Sequence, residues 1–115
     1  TDAASMQAMA RRAKVIVTTV GPYEQLGEAA VRACIEEGTH YVDITGEAFW
    51  VSEMRDKYGA QAAAKGVCLV SFAGYDCVPF ELSAYLAHRT LVDAHGTTLA
   101  SAVATGAGKR GRYAM

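Results

Sequence analysis

The feature that most constrains this chain is an unbroken β-branched run, Val15-Ile16-Val17-Thr18-Thr19-Val20, stopped by Gly21-Pro22. Branching at Cβ favours extended backbone, and a Gly-Pro pair breaks strand and helix alike. The run does not alternate apolar with polar residues, so it predicts a strand buried on both faces, the environment of a parallel sheet. A helical pattern follows. Leu26, Ala30, Val31, Cys34 and Ile35 share one face, Glu28, Arg32, Glu36 and Glu37 the other, and Gly38 stands where a left-handed C-cap belongs. The alternation then repeats. His40–Thr45 reads as a strand ended by Gly46, and Val51, Met54, Tyr58 and Ala62 are the stripe of a helix closing at Gly66. Val67–Phe72 reads as a third strand, stopped by Ala73-Gly74, and Pro79 marks the first turn of a helix running to about Leu91. Its expected inner face is Leu82, Tyr85 and Leu86. Upstream, Ala3–Arg12 reads as a helix whose terminal arginines suit its dipole. Strand and helix in strict alternation, with short glycine-bearing connections, predict the α/β class and a parallel three-stranded portion of a doubly wound sheet.

The end of the chain breaks this rhythm. Leu99, Ser101, Val103 and Thr105 alternate with Ala100, Ala102 and Ala104, a period of two that predicts a half-exposed antiparallel strand over Thr97–Thr105. That strand is expected to open a second, α+β domain. The division is therefore residues 1–92 for the parallel sheet and 93–115 for a linker and the first strand of the next domain. The chain begins at Thr1 and ends at Met115 after a Gly-rich basic stretch, and both ends look like cuts.

Composition removes several functional classes. At 51% hydrophobic and 20% charged, the 115 residues fit one ordinary folded domain and not a disordered chain. A formal net charge of -1 offers no electrostatic case for nucleic acid or an anionic membrane, and Lys109, Arg110 and Arg112 read as a solvated tail. No apolar run approaches a transmembrane length, and no signal peptide opens the chain. Cys34, Cys68 and Cys77 suit small residues in a reducing cytoplasm better than a disulfide framework, and no ligand spacing points to a metal.

In an open α/β sheet, ligands bind outside the carboxyl ends of the strands. Three such ends are expected to line one edge: Val20-Gly21-Pro22-Tyr23, Asp43–Glu47 and Ala73–Asp76. Tyr23 either bonds or stacks on a ligand or caps the sheet edge. Asp43, costly to bury unpaired, either meets a ligand or accepts N–H groups of its own loop. Glu47 reads best as the acid opening the following helix, and Asp76 as either its helix's N-cap or a substrate contact. Trp50 and Phe49 read as core, His40 lies at the wrong edge, and His88 and His95 read as surface. No cysteine has a neighbouring base. There is no G-x-G-x-x-G after a strand and no P-loop lysine, while Gly106-Ala107-Gly108 precedes no helix.

Read together, V-x-T-T-V-G-P-Y over Val15–Tyr23, G-E-A-A-V-R-A-C over Gly27–Cys34, E-G-T-H-Y-V-D-I-T-G-E over Glu37–Glu47 and A-G-Y-D-C-V-P over Ala73–Pro79 resemble the saccharopine dehydrogenase-like oxidoreductases, most nearly their trans-acting enoyl reductase subgroup. Tyr75, Cys77 and Phe80 depart from that pattern. The resemblance implies the second half of a Rossmann domain, holding strands four to six, with the glycine fingerprint upstream. It implies NAD or NADP as cofactor, with Val20, Gly21, Pro22, Tyr23, Asp43 and Gly74 at the cofactor and Tyr23 and Asp76 assisting catalysis. The implied reaction is reduction of a small or lipid-like enoyl, carbonyl or imine substrate, in the cytoplasm and with homo-oligomerisation expected. Saccharopine reduction and a cofactor-binding module without turnover are the competing readings.

Overall fold

A computed structural model of the chain describes residues 2–103. They fall into two units that divide after Gly74. The first runs α1 (Ala3–Ala10), β1 (Val15–Thr18), α2 (Tyr23–Glu37), β2 (His40–Asp43), α3 (Ala48–Ala64) and β3 (Leu69–Val70). The strands form one parallel sheet in the order β1-β2-β3. Strand–helix alternation thus produces the expected α/β sheet, although each strand is shorter than the apolar run that encodes it.

Side chains explain where the strands stop. Past β1, the Val20 N–H turns back to Thr18 Oγ1 at 3.2 Å. Past β2, the Thr45 N–H donates to Asp43 Oδ1 at 3.0 Å, an Asx turn that withdraws the backbone from the ladder. β3 ends before Phe72, whose φ of 60° lies in the left-handed region. Ahead of β2, the Gly38 C-cap of α2 adopts φ 73° as the sequence predicts.

The row Ile16, Tyr41 and Leu69 runs across the three strands in register and faces the core. Val31, Cys34 and Ile35 of α2 meet it, with Trp50, Met54, Tyr58 and Ala62 of α3. The neighbouring outward row, Val17, Val42 and Val70, is covered far less, Val17 being 67% exposed. This corrects the expectation that β1 is buried on both faces. The β-branched composition is that of a sheet covered on both sides, but the helices of this unit supply one layer only. Leu26 is likewise exposed, and Tyr23, Gly27 and Val31 form the inner stripe of α2 in its place. α1 is fastened by Thr39, whose buried Oγ1 donates to Ala10 O at 2.7 Å.

The second unit contains α4 (Val78–His95), which opens with Pro79 in its first turn and ends at Gly96 with φ 62°. Leu82, Tyr85 and Leu86, expected on an inner face, are all exposed. Residues 97–103 form no strand. The alternation there is a pattern for half-burial, and a strand requires a neighbour to take its hydrogen bonds. Ala104 and Thr105, the rest of the expected strand, and the Gly106–Gly108 and basic segments lie outside the described residues. Among the described residues, no helix is long and apolar enough to cross a membrane.

Candidate functional site

The carboxyl ends of β1, β2 and β3 are joined by a chain of polar contacts built from alternate residues of one segment. Asp43, Thr45 and Glu47 lie two residues apart, with Asp43 and Thr45 fully buried. Asp43 reaches towards β3: Ser71 Oγ donates to its Oδ2 at 3.0 Å, and the Ala73 N–H donates to its carbonyl at 2.9 Å. These two contacts flank Phe72 and hold its left-handed backbone, which costs a non-glycine residue about 1–2 kcal/mol. Thr45 serves the middle of the chain, its Oγ1 accepting the Glu47 N–H at 3.0 Å.

Glu47 completes the link towards β1. Its Oε1 accepts the Tyr23 N–H at 2.9 Å and its Oε2 accepts the Glu24 N–H at 2.7 Å. The carboxylate therefore caps α2 with both oxygens, where a negative charge is favoured by unsatisfied N–H groups and the helix dipole. By sequence this acid belongs to the start of α3. Glu47 does occupy the N-cap position of α3, but its side chain makes no capping bond there. The preceding residue of α2 is Pro22, which has no side-chain oxygen to offer, so the cap comes from another loop.

Tyr23 is buried, and its hydroxyl donates to Thr18 O at 3.0 Å. Its ring lies 5.6 Å from that of Trp50. Trp50 in turn packs where α2 has no side chain: a Cβ on Gly27 would stand 2.5 Å from Trp50 Cζ2. Gly27 thus lets the first turn of α3 approach α2 closely enough for Glu47 to reach it. Phe49, expected in the core, is instead 95% exposed, because the neighbouring Trp50 takes the inward position. Around the turn itself, Val20, Gly21 and Pro22 are exposed, with a cis bond between Gly21 and Pro22. A Cβ on Gly21 would meet Tyr23, its ring at 3.7 Å and its backbone nitrogen at 4.0 Å, and one on Gly46 would touch nothing within 4 Å. Gly74 is tighter, since a Cβ there would lie 3.0 Å from Ile44 Cβ. Asp76 belongs to the second unit, exposed in the turn before α4.

Among the described residues this edge of the first unit carries Asp43, Glu47 and Glu24 and no lysine or arginine. Tyr41, behind it on β2, is fully buried with no hydrogen-bond partner for its hydroxyl. Burial, reinforced by the Asp43 charge, pushes that phenol up, so it stays protonated at any ordinary pH. His40 sits at the opposite edge and accepts the Cys68 N–H at Nδ1, 3.0 Å away. No group of His, Cys, Asp and Glu side chains among the described residues is arranged to hold a metal.

A dinucleotide approaching this edge would find room for one of its rings only. Open backbone at Gly21 and Gly46 permits a flat ring to approach the strand ends. A pyrophosphate finds no place at the start of α2, because the Glu47 carboxylate already occupies those N–H groups.

Comparison with known proteins places the chain in a family. Residues 1–70 match the family described as saccharopine dehydrogenase NADP binding domain. A lipid droplet localized protein of Caenorhabditis elegans is 46% identical over 81 residues, 70% of this chain and 19% of that protein. A Mycobacterium tuberculosis protein provisionally named a trans-acting enoyl reductase is 46% identical over 93 residues, 80% of this chain and 22% of that protein. The trans-acting enoyl reductase of Mycobacterium leprae is 40% identical over 89 residues, 77% of this chain and 21% of that protein. The chain thus spans about a fifth of the length of these relatives. No solved structure matches it. With a parallel sheet whose three strand ends are tied into one edge, and a family match over more than half its length, the chain belongs to the saccharopine dehydrogenase NADP-binding domain family.

Proposed function

We propose that this chain supplies the nicotinamide-facing edge of an NAD(P)-dependent oxidoreductase acting on a lipid-like substrate. The observation that carries the reading is the exposed Val20-Gly21-Pro22 turn, held over the strand ends by Glu47 and open to a flat ring at Gly21. When bound, the cofactor would supply the hydride; the chain's own part is to seat the ring, orient it and exclude water. Val20, Gly21, Pro22 and Gly74 are the proposed cofactor contacts. Asp43 acts behind them by holding the β3 turn, since both of its carboxylate oxygens already accept hydrogen bonds. Tyr23 shapes the turn, its hydroxyl proton being directed to Thr18 O. The exposed Asp76 carboxylate is the proposed proton-handling group, and its test is Asp76→Asn.

Two features favour a lipid-like substrate over saccharopine. The enoyl reductase names of the mycobacterial relatives point that way. So does the edge itself, where exposed Val20, Ile44 and Phe49 offer apolar surface. A cytoplasmic location is supported by the three free thiols, Cys34, Cys68 and Cys77. Self-association is supported by the exposed valines of the sheet. The test is titration of the protein encoded by the full reading frame with NADPH and NADH, followed by nicotinamide fluorescence. Saturable binding supports the reading; no binding of either dinucleotide refutes it.

A further inference from the structure

We infer that Glu47 is a positioning residue of the cofactor edge: it holds the Gly21-Pro22-Tyr23 turn in its binding-ready form by clamping the first two N–H groups of α2 to the loop after β2. This rests on the functional reading above and adds to it a residue that contacts neither cofactor nor substrate.

Four observations carry the inference. The clamp is bidentate, with one oxygen on Tyr23 N–H at 2.9 Å and the other on Glu24 N–H at 2.7 Å. Charge-assisted bonds from a single carboxylate to two consecutive amides fix direction as well as distance. The clamp is also anchored, because Thr45 Oγ1 accepts the Glu47 N–H and the Thr45 N–H donates to Asp43. Asp43 carries the connection to Ser71 and Ala73, so that all three strand ends are tied together. The spacing has a purpose too: Gly27 is the only residue type that lets Trp50 lie against α2, which brings Glu47 within reach. Finally, the other side-chain bonds at the turn, Val20 N–H to Thr18 Oγ1 and the Tyr23 hydroxyl to Thr18 O, tie it to β1 and leave the start of α2 to Glu47. Val20, Gly21 and Pro22 are exposed, and Pro22 offers α2 no side-chain cap.

The alternative role is plain structural support, and the two make different forecasts. Glu47→Ala and Glu47→Gln would be compared with Thr39→Val, which removes the buried bond to Ala10 at the opposite edge of the sheet. Glu47→Ala loses two charge-assisted bonds, Glu47→Gln weakens the same pair, and Thr39→Val loses the hydroxyl bonds to Ala10 O and Ala13 O, so all three should melt earlier. In the full reading frame, only the Glu47 variants should weaken NADPH affinity. The expected weakening is about 5- to 30-fold, the equivalent of losing a helix cap that pre-organises the turn. Hydrogen exchange without cofactor should show faster exchange at the Tyr23 and Glu24 amides in the Glu47 variants, and unchanged rates there in Thr39→Val. Should the Glu47 variants, assayed well below their melting points, bind NADPH like the unaltered protein, the positioning role is overturned while the functional reading stands. Equal loss of affinity in Thr39→Val would also overturn it, since the effect would then follow stability alone. Failure of the unaltered protein to bind any dinucleotide would overturn both.

Discussion

Exchanging Gly27 for alanine separates close helix packing from simple helix propensity. In the middle of a helix, Gly→Ala is worth roughly 1 kcal/mol of added stability. Gly59 of α3 is the reference, because a Cβ there meets only Arg55 Cγ at 3.9 Å. Gly59→Ala should therefore stabilise by about 0.5–1 kcal/mol. At Gly27 the same methyl would lie 2.5, 3.0 and 3.3 Å from three atoms of the Trp50 ring. Carbon atoms rest at about 3.5–4.0 Å, so the ring must retreat by roughly 1 Å. It has little room, being 4% exposed and packed against Tyr23. Overpacking of this kind costs about 1–3 kcal/mol, which exceeds or cancels the propensity gain. The net expectation for Gly27→Ala is a loss of roughly 0–2 kcal/mol, placing the two variants about 1–3 kcal/mol apart. Urea denaturation reads the difference directly, and Trp50, the single tryptophan, reports the same packing by fluorescence. If both glycines gain equally from alanine, with the emission of Trp50 unchanged, the α2–α3 contact described here is wrong.

Other residues give separate tests. Asp43→Asn leaves one amide N–H₂ facing donors in a fully buried site, and should cost about 1–3 kcal/mol in the same assay; a neutral result would contradict the Ser71 and Thr45 bonds. Burial pushes the Cys34 thiol up to about 11, so iodoacetamide at pH 8 should label exposed Cys68 and spare Cys34 until the protein unfolds. The same shift makes stability fall as pH rises from about 8.5, where an unfolded thiol ionises first, towards the folded value. Hydrogen bonds from Lys57 and then Tyr58 hold the Glu28 carboxyl below its usual range. Its contribution is complete above the unfolded value of about 4.3 and is lost as pH falls through the folded one, so Glu28→Gln should lower stability at pH 7 but not in strong acid, which flattens acid unfolding.

The fold was legible because periodicity reports burial directly. The β-branched run at Val15, the Gly38 C-cap and the Val51–Ala62 stripe each specify a local geometry that the tertiary structure keeps. What failed were inferences about covering layers. The outward valines of β1 and the Leu82–Leu86 face of α4 have core-like composition, and composition cannot name the surface that meets it. The site was legible as a place, since strand ends with glycines converge in any parallel sheet, but its wiring was not. Glu47 lies at the threshold of α3, and every local rule assigns it to that helix. Its bond to α2 depends on how closely two helices approach, which in turn depends on the missing side chain of Gly27 opposite Trp50. One sign was available: Pro22 opens α2 without a capping side chain, and the nearest acid after the next strand is Glu47. Alternation in Asp43-Ile44-Thr45-Gly46-Glu47 was the other sign, since three polar residues sharing one inward face require partners.

The central claim is that the three tied strand ends form the cofactor-facing edge of the protein. Hydrogen exchange of the full-reading-frame protein, with and without NADPH, tests it most directly. Protection should rise at Val20–Glu24 and across residues 43–47, and stay unchanged at the opposite edge around Ala13–Lys14 and Gly38–His40. Protection confined to that opposite edge, with the Val20–Glu24 amides untouched, would contradict the account.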